Sequence, residues 1–394
     1  MTFVFRTAHG DYQLDPTVLD GEADVEMLLK VEGIPSSSTS LYGKRHHSEA
    51  LQLIGTSRRS INSLISSFDE ILIRPDRNID YASIIGRETT IATTEEPVAS
   101  YNFVSHGSDA PSVNKEFSQA ECRDFVAKNV CDFLDKITVD ERPIVVGVSG
   151  GGDSNTLLHA LAADSRISVS QLVPVMMLGI PDWDRGVDRA REICADLGLE
   201  LRIVDRSQVN KLLGRSGSDD WPSAFEAHYP DTDLEVIGTL AVRLALSHVA
   251  RDVGAQAAVT GLNIEDLLSE CLLSVFRGRP PLPFPVRTID GVDIWYPLYR
   301  TPKRLIDGCN PKFSLQNYDD RYPSVLYWRA LSYYSAQQLA TNVPGLEFVL
   351  LDGFQALATA TKRTPVFSES LGFSAASDLA DENIAKWQTF LASQ

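Results

Sequence analysis

One passage constrains this chain more than any other: Ile144-Val145-Val146-Gly147-Val148, followed at once by Ser149-Gly150-Gly151-Gly152-Asp153-Ser154 and then by Asn155-Thr156-Leu157-Leu158. A short continuous apolar run closed by a turn signal reads as a strand buried on both faces, and such strands belong to parallel sheets. The glycines that follow let backbone amides approach an anion closely. Ser149 and Ser154 add hydroxyls, and the start of the next helix adds its partial positive charge. Asp153 does not suit bare phosphate; it suits a helix cap or a Mg2+ ion carried on pyrophosphate. A Walker A loop is excluded, because Asp153 stands where its lysine should follow the last glycine. The dinucleotide fingerprint also fails: started at Gly147, it meets Ser149 at its second glycine. Taken alone, a glycine-rich turn without a ligand remains the competing reading.

The flanks extend the pattern. Ser118 and Glu121 stand in capping-box positions, with Phe117 placed to staple against Cys122, and the apolar face Cys122, Phe125, Val126, Val130, Phe133, Leu134 and Ile137 has helical spacing. Beyond the loop, strands are predicted at 172–177, 201–204 and 257–260 and helices at 183–197 and 235–252. Strand and helix in alternation give right-handed βαβ units and an α/β fold with a doubly wound parallel sheet, whose ligands bind at the carboxyl ends of the strands. Before it, residues 1–112 form a mixed α+β domain with strands at Phe3-Val4-Phe5 and Ile71-Leu72-Ile73, a helix near 58–68, and loops at Ser36–Ser40 and Ser105–Ser112. The nucleotide-type domain is expected to run from 113 to 308. The region 309–394 is expected to be helical, best at 324–341 and 377–392.

With 394 residues, two or three domains are expected, and 43% hydrophobic with 23% charged residues is the balance of a folded chain. The net charge of -17 weighs against extensive phosphate-backbone binding unless a local basic groove exists. The densest basic stretch is Arg277, Arg279, Arg287, Arg300, Lys303 and Arg304, interleaved with Phe284, Trp295 and Tyr296. It suits a polyphosphate, an RNA backbone or a nucleobase, or else a solvated loop. The 5 cysteines show no C-x-x-C spacing, which argues against a zinc ribbon or redox dithiol. Cys122, Cys194 and Cys271 read as buried thiols; Cys309, in the turn-like Asp307-Gly308-Cys309-Asn310-Pro311, is the better candidate nucleophile. No secretory signal or membrane-length apolar run is seen, so a cytoplasmic protein without membrane contact is expected.

Ser149-Gly150-Gly151-Gly152-Asp153-Ser154 resembles the SGGxDS signature of the PP-loop ATP pyrophosphatases, which adenylate a carbonyl oxygen and then displace AMP. Downstream, Leu178-Gly179 falls where these enzymes contact adenosine. Thr260-Gly261-Leu262-Asn263-Ile264-Glu265-Asp266, with Arg277-Gly278, is similar to the G-H-N-x-x-D-D...R-G segment of the tRNA-lysidine synthetases and tRNA thiolases; Leu262 replaces the histidine and Glu265 the first aspartate. Tyr296-Pro297-Leu298 with Lys303 is similar to their R-P-L...K segment, Tyr296 replacing the arginine. The likeness covers roughly 120–305.

It implies an adenine nucleotide alpha hydrolase-like fold. It also implies ATP held by Ser149, Gly150, Gly151, Gly152, Asp153, Ser154, Leu178, Gly179 and Gly261, with Mg2+ on Asp153, Glu265 and Asp266, and Arg277 and Lys303 serving catalysis. The bland alternative for Glu265 and Asp266 is that they are first-turn acids complementing a helix dipole. The implied partners are tRNA or a small carbonyl acceptor and a carrier or sulfur-donor protein, with a homo-oligomer expected. An iron-sulfur site of the thiolase type is not expected, since its cysteine positions hold Gly238 and Ala241.

Overall fold

The computed structural model describes residues 2–7, 10–18, 23–31, 39–45, 52–55, 59–75, 97–104, 112–213, 220–229, 234–289, 291–310, 332–333, 335–336, 345–361, 366–368, 373–375 and 389–390. The first sheet comes from β1 (Thr2–Thr7), β2 (Gly10–Leu14), β3 (Thr39–Lys44), β4 (Gln52–Gly55) and β5 (Glu70–Pro75), in the order β2-β1-β5-β3-β4. β1 runs parallel to β5 and the remaining pairs are antiparallel. Helices α1 (Val25–Val31) and α2 (Ile61–Ile65) accompany it. Phe3, Val25, Leu28, Leu41 and Ile71 fill its core. The helix expected near 58–68 is shorter than its apolar pattern, because Ser66 and Ser67 turn the chain toward β5.

The hairpin β6 (Pro97–Val104) and β7 (Ser112–Ser118) leads into α3 (Gln119–Leu134). Val98, Ala99 and Phe117 of that hairpin pack into the same core as α3 and the second sheet. The α3 capping box forms as the sequence indicates: Glu121 N–H donates to Ser118 Oγ at 3.2 Å, and Ser118 N–H donates to the Glu121 carboxylate at 2.9 Å. Cys122, Val126, Val130, Phe133 and Leu134 are its buried face.

The second sheet is built by β8 (Ile144–Gly147), α4 (Gly152–Ala163), β9 (Leu172–Met177), α5 (Pro181–Asp184), α6 (Val187–Asp196), β10 (Arg202–Val204), α7 (Arg206–Leu212), α8 (Trp221–His228), α9 (Leu234–Asp252), β11 (Ala257–Val259), α10 (Ile264–Phe276), β12 (Val286–Ile289) and β13 (Val292–Trp295). Its strand order is β10-β9-β8-β11-β13-β12. The first five strands of that order run parallel, and β12 closes the edge antiparallel to β13. This is a doubly wound α/β sheet whose order reverses between β8 and β11, so the crevice at the carboxyl ends of those two strands is where a ligand belongs.

After β13 come α11 (Lys303–Cys309), α12 (Leu346–Thr361) and the small pair β14 (Val366–Ser368) and β15 (Phe373–Ala375). The helices expected at 324–341 and 377–392 fall almost wholly outside the described residues, as do 36–38 and 105–111. No described helix is long and apolar enough to cross a membrane.

Candidate functional site

The loop leaving β8 is braced from within and from one side. Gly150 adopts φ +74, and a Cβ there would lie 2.2 Å from the Gly186 carbonyl oxygen, so only glycine fits. Gly186 is held to the same rule, its own Cβ falling 2.2 Å from the Ser149 carbonyl oxygen. Arg189 on α6 donates its Nε–H to the Gly150 carbonyl at 2.9 Å. Inside the loop, Ser149 N–H donates to Ser154 Oγ at 3.1 Å, and Ser154 Oγ–H donates to the Gly151 carbonyl at 3.1 Å. α4 then begins at Gly152, with Gly151 as its N-cap and no side chain closing it. The first amides of α4 therefore face the crevice with the helix dipole behind them, the arrangement that binds anions.

Across the switch point, the segment after β11 lies against this loop. A Cβ on Gly261 would meet Asp153 Cβ at 3.3 Å, which makes Gly261 a close backbone neighbour of the loop carboxylate. Asp153 accepts a hydrogen bond of 2.5 Å from Lys303 Nζ–H. Lys303 donates equally to Asp307, one helical turn further along α11, also at 2.5 Å. The ammonium is nearly sealed, with Lys303 3% and Asp307 0% exposed, while Asp153 keeps 22% exposure toward the crevice. One cation thus faces two carboxylates. Glu265 fixes the lysine from the backbone side, its carboxylate accepting from Lys303 N–H at 3.0 and 3.2 Å at the start of α11.

The remaining sequence-indicated residues divide. Asp266 closes a capping box at the start of α10: Asn263 N–H donates to its carboxylate at 3.2 Å, and its own N–H donates to Asn263 Oδ1 at 3.0 Å. Arg277 is the C-cap of α10, roughly 18 Å along the helix axis from Glu265. Leu178 and Gly179 do end β9 beside the crevice. Gly179 N–H donates to both Asp184 oxygens at 2.9 and 3.2 Å, and its carbonyl accepts from Arg206 at 3.2 Å. Burial raises the Asp184 carboxyl above the ordinary aspartate range.

No family model matches the chain. Among curated proteins it is 28% identical over 172 residues to a tRNA(Ile)-lysidine synthase of Methylobacterium nodulans, covering 42% of this chain and 45% of that protein. It is 27% identical over 95 residues to a 7-cyano-7-deazaguanine synthase of Psychromonas ingrahamii, covering 24% of this chain and 41% of that protein. The chain spans less than half the length of the curated relatives it matches. Both relatives are PP-loop proteins, and the loop that defines them is the one closed here at the β8 switch point. The chain is similar to proteins of the PP-loop ATP pyrophosphatase superfamily.

Solved structures of PP-loop proteins align more loosely. A U34-tRNA thiolase NcsA from Methanococcus maripaludis with its 4Fe-4S cluster gives TM-score 0.47 at 17% identity, over 65% of this chain and 87% of that one. An NH3-dependent NAD synthetase from Campylobacter jejuni gives 0.35 at 16% identity, over 64% of this chain and 100% of that one.

Within this PP-loop frame, no group of three or more His, Cys, Asp or Glu side chains among the described residues is arranged to hold a metal ion by itself. The carboxylates Asp153, Glu265 and Asp266 do not converge, because Glu265 is engaged with α11 and Asp266 with its own helix. What the loop offers a hard cation is Asp153, 22% exposed at the crevice. That fits an ion such as Mg2+ that brings phosphate oxygens as most of its ligands.

The expected turn around Cys309 is instead the end of α11. The thiol is buried and donates to the Leu305 carbonyl at 3.2 Å, and desolvation pushes it well above the usual cysteine range, so it is no nucleophile. Burial raises Cys271 likewise. A Cβ on Gly238 would fall 2.5 Å from Ile180 Cδ1 and 2.6 Å from the Trp183 ring, so α9 packs closely on the 180–184 segment.

Sequence reading missed Gly186, Arg189, Asp184, Arg206 and Asp307. Of these only Asp307 carried a signal, lying four residues after Lys303 in a helix-compatible stretch.

Proposed function

We propose that the chain is an ATP-consuming, AMP-forming enzyme that adenylates a carbonyl or amide oxygen of a second substrate. The observation that carries this reading is the buried Lys303 ammonium held against Asp153 at the mouth of an uncapped glycine loop. A phosphate chain laid on the α4 amides meets backbone donors at one end and a fixed cation at the other. The acceptor oxygen attacks the α-phosphorus, the bond to pyrophosphate breaks, and an amine or sulfur nucleophile then displaces AMP. The α4 amides and Lys303 offset the negative charge that grows on the leaving pyrophosphate. Mg2+ arriving with the nucleotide, with Asp153 as the carboxylate that meets it, would neutralise further phosphate charge. Leu178 and Gly179, steadied by Asp184 and Arg206, would border the nucleoside.

A tRNA base is the acceptor we assign first, in line with the name of the lysidine synthase relative. Amidation or thiolation of a small carbonyl compound is the second reading, favoured by the net charge of -17. The sheet β1–β5 is assigned to acceptor or carrier docking.

Incubation with Mg2+ and α-labelled ATP, with and without bulk tRNA, tests this directly. AMP and pyrophosphate are expected, lowered by at least about a hundredfold in Asp153→Ala. Stimulation by tRNA supports the first acceptor and indifference to it the second. ADP and phosphate as products would overturn the reading.

A further inference from the structure

Lys303 has two carboxylate partners where a phosphate-binding lysine needs none, and they differ in kind. Asp153 belongs to the loop and is partly open to the crevice; Asp307 is sealed at 0% exposure one turn down the same helix as the lysine. α11 is itself pinned, by Glu265 at its first amide, by Thr156 Oγ–H donating to the Ile306 carbonyl at 3.5 Å, and by Gln119 and Arg123 donating to the Cys309 carbonyl at 2.9 and 3.0 Å. The Asp307–Lys303 bond therefore lies inside one fixed element, whereas the Asp153–Lys303 bond crosses from one element to another. Only the second can be exchanged without unseating the helix.

We propose that Asp307 is a positioning residue that lets Asp153 leave Lys303. When Asp153 turns to the cation that accompanies the nucleotide, Asp307 keeps the ammonium charged, paired and aimed at the crevice. A buried ammonium with Asp153 as its sole partner would hold that carboxylate and compete with the cation for it. Asp307 also places a second carboxylate beside the ammonium, which favours a nucleotide that brings a divalent ion over bare ATP. This inference rests on the reading of the loop as an ATP site.

The sign of the effect separates positioning from mere structure. Binding of ATP is measured by calorimetric titration twice, once with excess Mg2+ and once with EDTA, for the full chain and for Asp307→Asn. The proposal expects the variant to bind ATP with Mg2+ about tenfold more weakly, the loss of one charge-assisted interaction, and to bind ATP in EDTA more tightly than the wild type does. Affinities that fall together, or that do not move, overturn it. If Asp307→Asn does not fold, Lys303→Gln is compared with Lys303→Gln/Asp307→Asn. With no ammonium to position, the second substitution is expected to change the Mg2+-dependent affinity by less than about twofold, and a tenfold change overturns the proposal. Wild-type protein that binds ATP under neither condition overturns the ATP reading and this inference together. Wild-type binding with Mg2+ but equal losses in the variant overturns this inference alone.

Discussion

The two sheets of this molecule are filled differently. Among the described residues, every buried polar or charged side chain lies at or beyond Ser118; the sheet β1–β5 encloses only apolar ones. The second body buries Lys303, Asp307, Arg287, Asn155, Asn263 and Glu347. Burying such groups costs stability unless each is paired, and a well-packed apolar replacement is often no worse. Lys303 and Asp307 are kept beside the loop that leaves the switch point, where buried charge serves chemistry as well as folding. What the first sheet contributes must then come from its surface.

The largest test of that contrast is Lys303→Met. Removing the ammonium leaves Asp307 and Asp153 without their shared cation, which should cost about 3 to 5 kcal/mol of stability and lower AMP formation by a hundredfold or more. Denaturant midpoints and AMP yield read the two effects separately. Near-native values of both would show that the buried charges are incidental and that the contrast carries no meaning. Leu28→Ala probes the other interior: deleting a fully buried leucine of α1 should cost about 2 to 5 kcal/mol in the first sheet. ATP affinity is expected to stay within about twofold of wild type, since additivity holds for sites without shared partners. A large loss would show that the two bodies work as one.

The second body was legible in the sequence to different depths. Ile144–Val148 and the glycines after it announced strand, turn and helix because backbone geometry leaves few alternatives there, and α3 announced itself through its capping box. β12 and β13 are four residues each and carry Arg287 and Asp293 within them, so the hairpin signal Asp290-Gly291 lacks a clear apolar alternation on either side. The roles of Glu265 and Asp266 were the least legible. Two adjacent acids at a helix start look alike in sequence, yet one reaches 38 residues along the chain to hold Lys303 and the other caps its own helix. Asp307 carried only its i+4 spacing from Lys303, and that spacing gains meaning from a lysine whose burial only the fold decides.

Glu347 offers the smallest test and the finest. It is 1% exposed on α12, accepts a hydrogen bond from Tyr101 of the β6–β7 hairpin, and its Oε2 has no hydrogen-bond partner among the described residues. Burial raises its carboxyl above the ordinary value of 4.5, with the Tyr101 hydrogen bond opposing that shift only in part. The folded state thus prefers the neutral acid. Below pH 4.5 both folded and unfolded chains hold the proton and the group costs nothing. As pH rises past that value the unfolded carboxyl ionises freely while the folded one resists, so stability falls until the folded carboxyl has titrated. Glu347→Gln keeps an acceptor for Tyr101 and cannot ionise. The stability of the variant relative to wild type should therefore grow as pH rises past 4.5 and level once the folded carboxyl has titrated, as read from paired denaturant midpoints. A difference that shrinks with pH would mean the carboxylate is stabilised as a charge, and Glu347 would then join Lys303 and Asp307 in an electrostatic network continuous with the loop. A growing difference places Glu347 with the residues that hold the hairpin to α12, apart from the paired charges beside the loop.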